Sequence, residues 1–130
     1  MHRWVEHTGE LELEIEASSR RGVFAEAFRA IRGLIASEFR GPAQDHAVEL
    51  SAPDGAALLA DWLAELAYLA ESEGFVSERF ESLELGETGL SARLEGFTGK
   101  PPHLVKGVTY HRLTLEPTGP RWRATVVLDV

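Results

Sequence analysis

The sequence contains no cysteine and no asparagine, and only two of its 13 basic residues, Lys100 and Lys106, are lysines. The missing thiols exclude disulfides, thiolate metal sites and a cysteine nucleophile together, and they fit a reducing compartment. No apolar run approaches the roughly 20 residues that a membrane helix needs. The start, Met1-His2-Arg3-Trp4-Val5-Glu6, lacks the apolar stretch of a secretory signal. A cytoplasmic protein without a membrane partner is therefore expected. Familiar catalytic signatures are missing too: there is no phosphate-cradling glycine loop, no paired-histidine zinc spacing and no nucleophile elbow. Basic charge is scarce, and a formal net charge of −8 disfavours strong direct binding to nucleic acid, because the phosphate backbone repels such a surface.

What remains is 130 residues, 44% of them hydrophobic, enough for one core and one domain spanning 1–130. Glu10 to Glu16 alternates strictly, with Leu11, Leu13 and Ile15 facing one way and Glu10, Glu12, Glu14 and Glu16 the other, which is the period of a half-buried strand. Ser18 or Ser19 can cap a helix over Arg21 to Ala36, whose apolar stripe is Phe24, Ala27, Phe28, Ile31, Leu34 and Ile35 and whose opposite face carries Arg21, Arg29 and Arg32. Gly41-Pro42 is its expected end. A short strand over Ala47 to Ser51 precedes a second helix, capped by Asp54, with Leu58, Leu59, Trp62, Leu63, Leu66 and Leu69 inward and Asp61, Glu65, Tyr68 and Ser72 outward. Gly74 suits the position just past its end. Phe75 to Leu85 and Thr88 to Gly96 read as a hairpin, and Val105 to Glu116 and Arg121 to Val130 as two further strands. The expected fold is α+β: a single domain with two amphipathic helices packed on a mostly antiparallel β-sheet.

Three clusters offer chemistry. Glu10 stands at the start of its strand beside His7, where carboxylates on one strand face need solvent or a cation between them. Asp129 lies one residue from the end of an apolar strand, next to the carboxylate of Val130; two or three such oxygens suit Ca²⁺, Mg²⁺ or Mn²⁺, while an exposed strand end is the plainer alternative. Lys106 follows a Pro-Pro loop and can reach a phosphate or a carboxylate. His111 falls on the opposite face from Lys106 in a regular strand, so the two meet at one site only through a bulge or if Lys106 belongs to the loop.

Four blocks, in order, resemble the archease family over nearly the whole chain. They are Glu6-His7-Thr8 with an acidic residue following; Leu58 to Leu69 with Glu73-Gly74-Phe75; Val105-Lys106-Gly107-Val108-Thr109-Tyr110-His111; and Trp122 to Val130. Each is weak alone, and the four together are specific. The resemblance implies a protein cofactor, not itself an enzyme, that activates an RtcB-type RNA ligase by promoting its GTP-dependent guanylylation and multiple turnover in tRNA splicing and RNA repair. It further implies a divalent-metal site, Ca²⁺ foremost with Mg²⁺ or Mn²⁺ as alternatives, at Glu10, Asp129 and Val130. Lys106 becomes a functional residue, with His7 and His111 as neighbouring partner or phosphate contacts. This chain departs from the family in having Glu10 where aspartate is usual and Glu12 where a glycine is usual, which lengthens the reach of the metal-binding arm. Two other function classes stay open at this point: a small metal-dependent phosphoester hydrolase using the same carboxylates with a histidine base, and a general chaperone or interaction module.

Overall fold

The computed structural model describes residues 1–102 and 105–130. Seven strands and two helices follow one another: β1 (His2–His7), β2 (Glu10–Ala17), α1 (Arg20–Leu34), β3 (Ala43–Ser51), α2 (Gly55–Ser72), β4 (Phe75–Leu85), β5 (Gly89–Thr98), β6 (Gly107–Thr118) and β7 (Arg121–Asp129). They build an α+β fold, with two antiparallel sheets where the sequence suggested one. Strands β1-β2-β7-β6 form the first sheet and β3-β5-β4 the second.

Both helices start where their caps dictate. The Ser19 hydroxyl accepts from Gly22 N–H and the Asp54 carboxylate from Ala57 N–H, each satisfying a donor that the first helical turn leaves free. The stripe expected on α1 is buried from Phe24 to Ile31, and every residue expected on the inner face of α2 is buried. Helix α2 hides more than a stripe, Ala60, Ala67 and Ala70 included, because it packs against β6 of one sheet and β3 and β4 of the other. Trp62 closes the centre. Its indole N–H donates to the Phe24 carbonyl over 3.0 Å, and its ring lies 6.0 Å from that of Phe28.

Four differences from the expected elements have physical causes. Helix α1 stops at Leu34, well before Gly41-Pro42, and the Ser37 hydroxyl then bonds the Phe39 carbonyl in place of a further helical turn. Strand β3 begins at Ala43, because the polar run Gln44-Asp45-His46 is carried by its pairing with β5 and not by its own propensity. Strand β1 was not expected. It pairs with β2 through the tight turn Thr8-Gly9, where Gly9 takes φ 74°, and that two-residue signal lies in plain view in the sequence. Strand β6 starts only at Gly107, which leaves Val105 and Lys106 in the preceding loop.

The first helix is fastened to the second sheet by its arginines. Arg21 and Arg32 donate to the carbonyls of Leu83 and Glu78 on β4, and Arg20 to those of Gly86 and Glu87. Arg29 pairs with Glu26 at 3.0 Å. Glu26 also meets the His2 imidazole at 2.6 Å and the N-terminal ammonium at 3.5 Å. Burial alone would raise its pKa; the His2 hydrogen bond, the ammonium charge and Arg29 outweigh burial and hold it below the ordinary 4.5. A depressed carboxylate pKa contributes stability above the unfolded value and loses it as pH falls through the folded one. The stability advantage of the native chain over Glu26→Gln, followed by urea unfolding across pH, should be full above pH 4.5 and shrink steadily on further acidification.

Candidate metal- and partner-binding end

Antiparallel pairing in the first sheet brings chain-distant blocks to one end. Glu10 lies directly opposite His7 on one side and Asp129 on the other, and Asp129 lies opposite Gly107. Directly opposed residues share a sheet face with their Cβ atoms about 4.5–5.5 Å apart. Two backbone hydrogen bonds pin the terminus: Lys106 N–H donates to the Asp129 carbonyl at 2.8 Å, and Val130 N–H to the Gly9 carbonyl at 3.1 Å. Glu10, Asp129, Val130 and Lys106 are therefore neighbours, and His7 joins them with its Nε2 3.8 Å from Glu12. A cleft of about 700 Å³ lies at the opposite end of the sheet. A smaller one at this end, about 560 Å³, is lined by His7, Glu10 and Val130 of the expected residues, with Glu6, Leu11, Leu34 and Pro102, and not by Asp129, Lys106 or His111.

The β2 glutamates are neither fully solvated nor left to repel one another. Arg3 pairs with Glu14, Arg121 and Arg123 with Glu16, and Arg112 with both Glu10 and Glu12. All four glutamates are half-buried under these guanidinium groups. The Arg3 hydrogen bond above all holds the Glu14 pKa below its ordinary value, against the opposing effect of burial.

Arg112 reaches this face because β6 breaks register. Thr109 pairs with Val127 and Thr114 with Thr125, so four residues, Tyr110 to Leu113, stand opposite Val126 alone. Arg112 has φ 59°, the single non-glycine residue with positive φ among the described residues. That conformation disfavours an arginine by about 1–2 kcal/mol. Its Nε lies 3.0 Å from Glu12 and its Nη2 3.5 Å from Glu10. The same excursion sends Tyr110 to Asp61 of α2 at 3.2 Å, and the Asp61 charge, with burial and this hydrogen bond, pushes the phenol above its usual pKa. His111 is exposed within the excursion. The bulge and the loop position of Lys106 thus both occur, and they remove the face conflict between Lys106 and His111 that a regular strand imposes. Val127 shares the face of the glutamates yet is fully buried, with Val5, Glu12 and Thr109 beside it in the same row.

Sequence reasoning missed Arg112 and Tyr110 as parts of this end. Neither carries a signal in its own residue type, since only the register break delivers them. Among the described residues no three His, Asp or Glu side chains converge closely enough to hold a metal by themselves. The chain's own oxygen donors at this end are the Glu10 and Asp129 carboxylates and the terminal carboxylate of Val130, hard ligands suited to Ca²⁺, Mg²⁺ or Mn²⁺. In this structure the Arg112 guanidinium rests 3.5 Å from Glu10. No helix among the described residues is long and apolar enough to cross a membrane.

Comparison with known proteins finds relatives along the whole chain. The archease protein family matches residues 2–130. The protein archease of Methanosarcina mazei is 31% identical over 139 residues, covering 99% of this chain and 95% of its own length. That of Methanopyrus kandleri is 30% identical, covering 97% and 96%. A crystal structure of an archease from Thermotoga maritima, described as a possible chaperone, superposes with a TM-score of 0.69 at 20% identity, over 100% of this chain and 98% of that one. A solution structure from Methanobacterium thermoautotrophicum gives 0.72 at 21% identity, over 99% and 98%. On its sequence match along the whole length, this chain belongs to the archease family.

Proposed function

We propose that this protein is an accessory factor of an RtcB-type RNA ligase, promoting guanylylation and repeated turnover of that enzyme in tRNA splicing or RNA repair without catalysing a reaction itself. The observation that carries the proposal is the convergence of three sequence-distant blocks, Glu10, Asp129-Val130 and Lys106, at one end of the first sheet. In this proposal Glu10, Asp129 and the Val130 carboxylate hold a divalent cation, which supplies concentrated positive charge toward phosphate oxygens. Three oxygens from one chain leave half or more of a six- to eight-coordinate sphere open, as an ion shared with a partner requires. Lys106 is exposed, and among the described residues it has no ion-pair partner, so its ammonium is available to a phosphate or an acidic side chain of the ligase. His7 and His111, both exposed, are the neighbouring contacts in this proposal. Among the described residues few donors converge here, which favours an accessory role over a phosphoester hydrolase with two metals to hold.

The test is multiple-turnover RNA ligation by the cognate ligase with GTP and Mn²⁺, with and without this protein. Substoichiometric addition should convert a stalled single turnover into many. A competent ligase that ignores the protein would overturn the proposal. Capture of many unrelated unfolded clients in place of one ligase would point to a general chaperone.

A further inference from the structure

We infer that Arg112 is a built-in competitor for the divalent cation, an internal positive charge that must leave Glu10 before the ion binds. The inference rests on the metal-holding role proposed above for Glu10 and Asp129, and it concerns what sets the affinity of that site. The guanidinium lies 3.5 Å from Glu10 and 3.0 Å from Glu12, so one arm of the ligand set is shared with an ion pair in the free protein. Arg112 comes from a segment 102 residues further along the chain than Glu10. It is delivered by a register break of β6 and held in the left-handed region at φ 59°. Backbone strain of this kind persists only where surrounding contacts impose it. Here those contacts are the two glutamates on one side and the Tyr110–Asp61 hydrogen bond on the other. With its side chain 40% exposed, the guanidinium has solvent to move into when it is displaced.

The competition has a definite sign. A fixed positive charge beside the ligands repels an incoming dication and engages a carboxylate that the dication needs. Occupation of the site therefore releases Arg112 from Glu10, while its closer pair with Glu12 and the Tyr110–Asp61 hydrogen bond hold the excursion in place. Ion binding and the Arg112–Glu10 pair are then reciprocally linked.

Calorimetric titration of Ca²⁺, and separately of Mn²⁺, into the full chain tests this. Arg112→Gly keeps a residue suited to φ 59° and removes the charge, so it is the variant least able to disturb folding; Arg112→Gln provides a second. Both should bind the ion about tenfold more tightly than the native chain, the order expected for removing one nearby charge and a partly exposed ion pair. Arg112→Lys, which keeps the charge, should stay close to the native affinity. Unchanged or weaker binding in both charge-removing variants, with Asp129→Asn still lowering affinity, would overturn the competition while leaving the metal site standing. Absence of binding in the native chain and every variant would overturn both.

Discussion

Gly96→Ala should unfold the second sheet. Gly96 sits on the central strand β5, opposite Ser77 of β4, where that strand breaks register. A Cβ at this position would collide with the Val76 carbonyl oxygen and press on the Cα of Ser77, both backbone. Backbone cannot turn aside as a flexible side chain does, so relief requires separating β4 from β5. Overpacking costs about 1–3 kcal/mol where side chains can adjust, and more is expected here. Against the roughly 5–15 kcal/mol that holds a domain together, that is a large share. Urea unfolding would show a sharply lowered midpoint or no folded baseline. Gly33→Ala makes the contrast. That glycine lies in α1 with nothing within 4 Å of an added Cβ. The same change there should stabilise by about 0.5–1 kcal/mol, because alanine loses less backbone freedom in a helix. If Gly96→Ala folds as well as the native chain, the close approach of β4 and β5 is wrong.

Asp129→Ala is the variant expected to damage function most while sparing the fold. Its side chain is exposed at the end of β7, and the backbone carbonyl that accepts from Lys106 N–H is unaffected by the substitution. Thermal stability should stay within about 0.5 kcal/mol of native, as for other surface changes. Removing even an outer partner of a metal site costs about 10–100-fold, so loss of a direct carboxylate should lower divalent-ion affinity and ligase stimulation at least as far. Glu49→Ala on the edge strand β3, which lies in the other sheet, should leave both unchanged. Full stimulation by a folded Asp129→Ala protein would remove this end from the mechanism.

Several features were legible before any fold was known. Heptad-like recurrence marked both helices and their buried faces, because a helix must turn one side to the core whatever lies opposite. A serine cap at Ser18 or Ser19, which the structure places at Ser19, the Asp54 cap and the Gly74 position past the second helix follow from local hydrogen bonding and backbone freedom alone. The alternation in β2 identified an outer row of glutamates. It could not say what neutralises them, since Arg3, Arg112, Arg121 and Arg123 arrive from three other strands. The four ordered blocks pointed to the family and named Glu10, Lys106 and Asp129.

By itself, then, the sequence determined the α+β class, the two helices with their inner faces, and the family to which the chain belongs, since each depends on local periodicity or on motif order. Only the tertiary structure decided the division into two sheets and the early start of β3, because strand pairing is bought by partners and not by propensity. It alone also decided that Glu10 faces Asp129, that Lys106 lies in a loop and that Arg112 covers the glutamates. Those placements depend on register between strands about a hundred residues apart and on one break in β6. Register follows from how whole faces pack, and a shift of one residue turns every side chain to the other side.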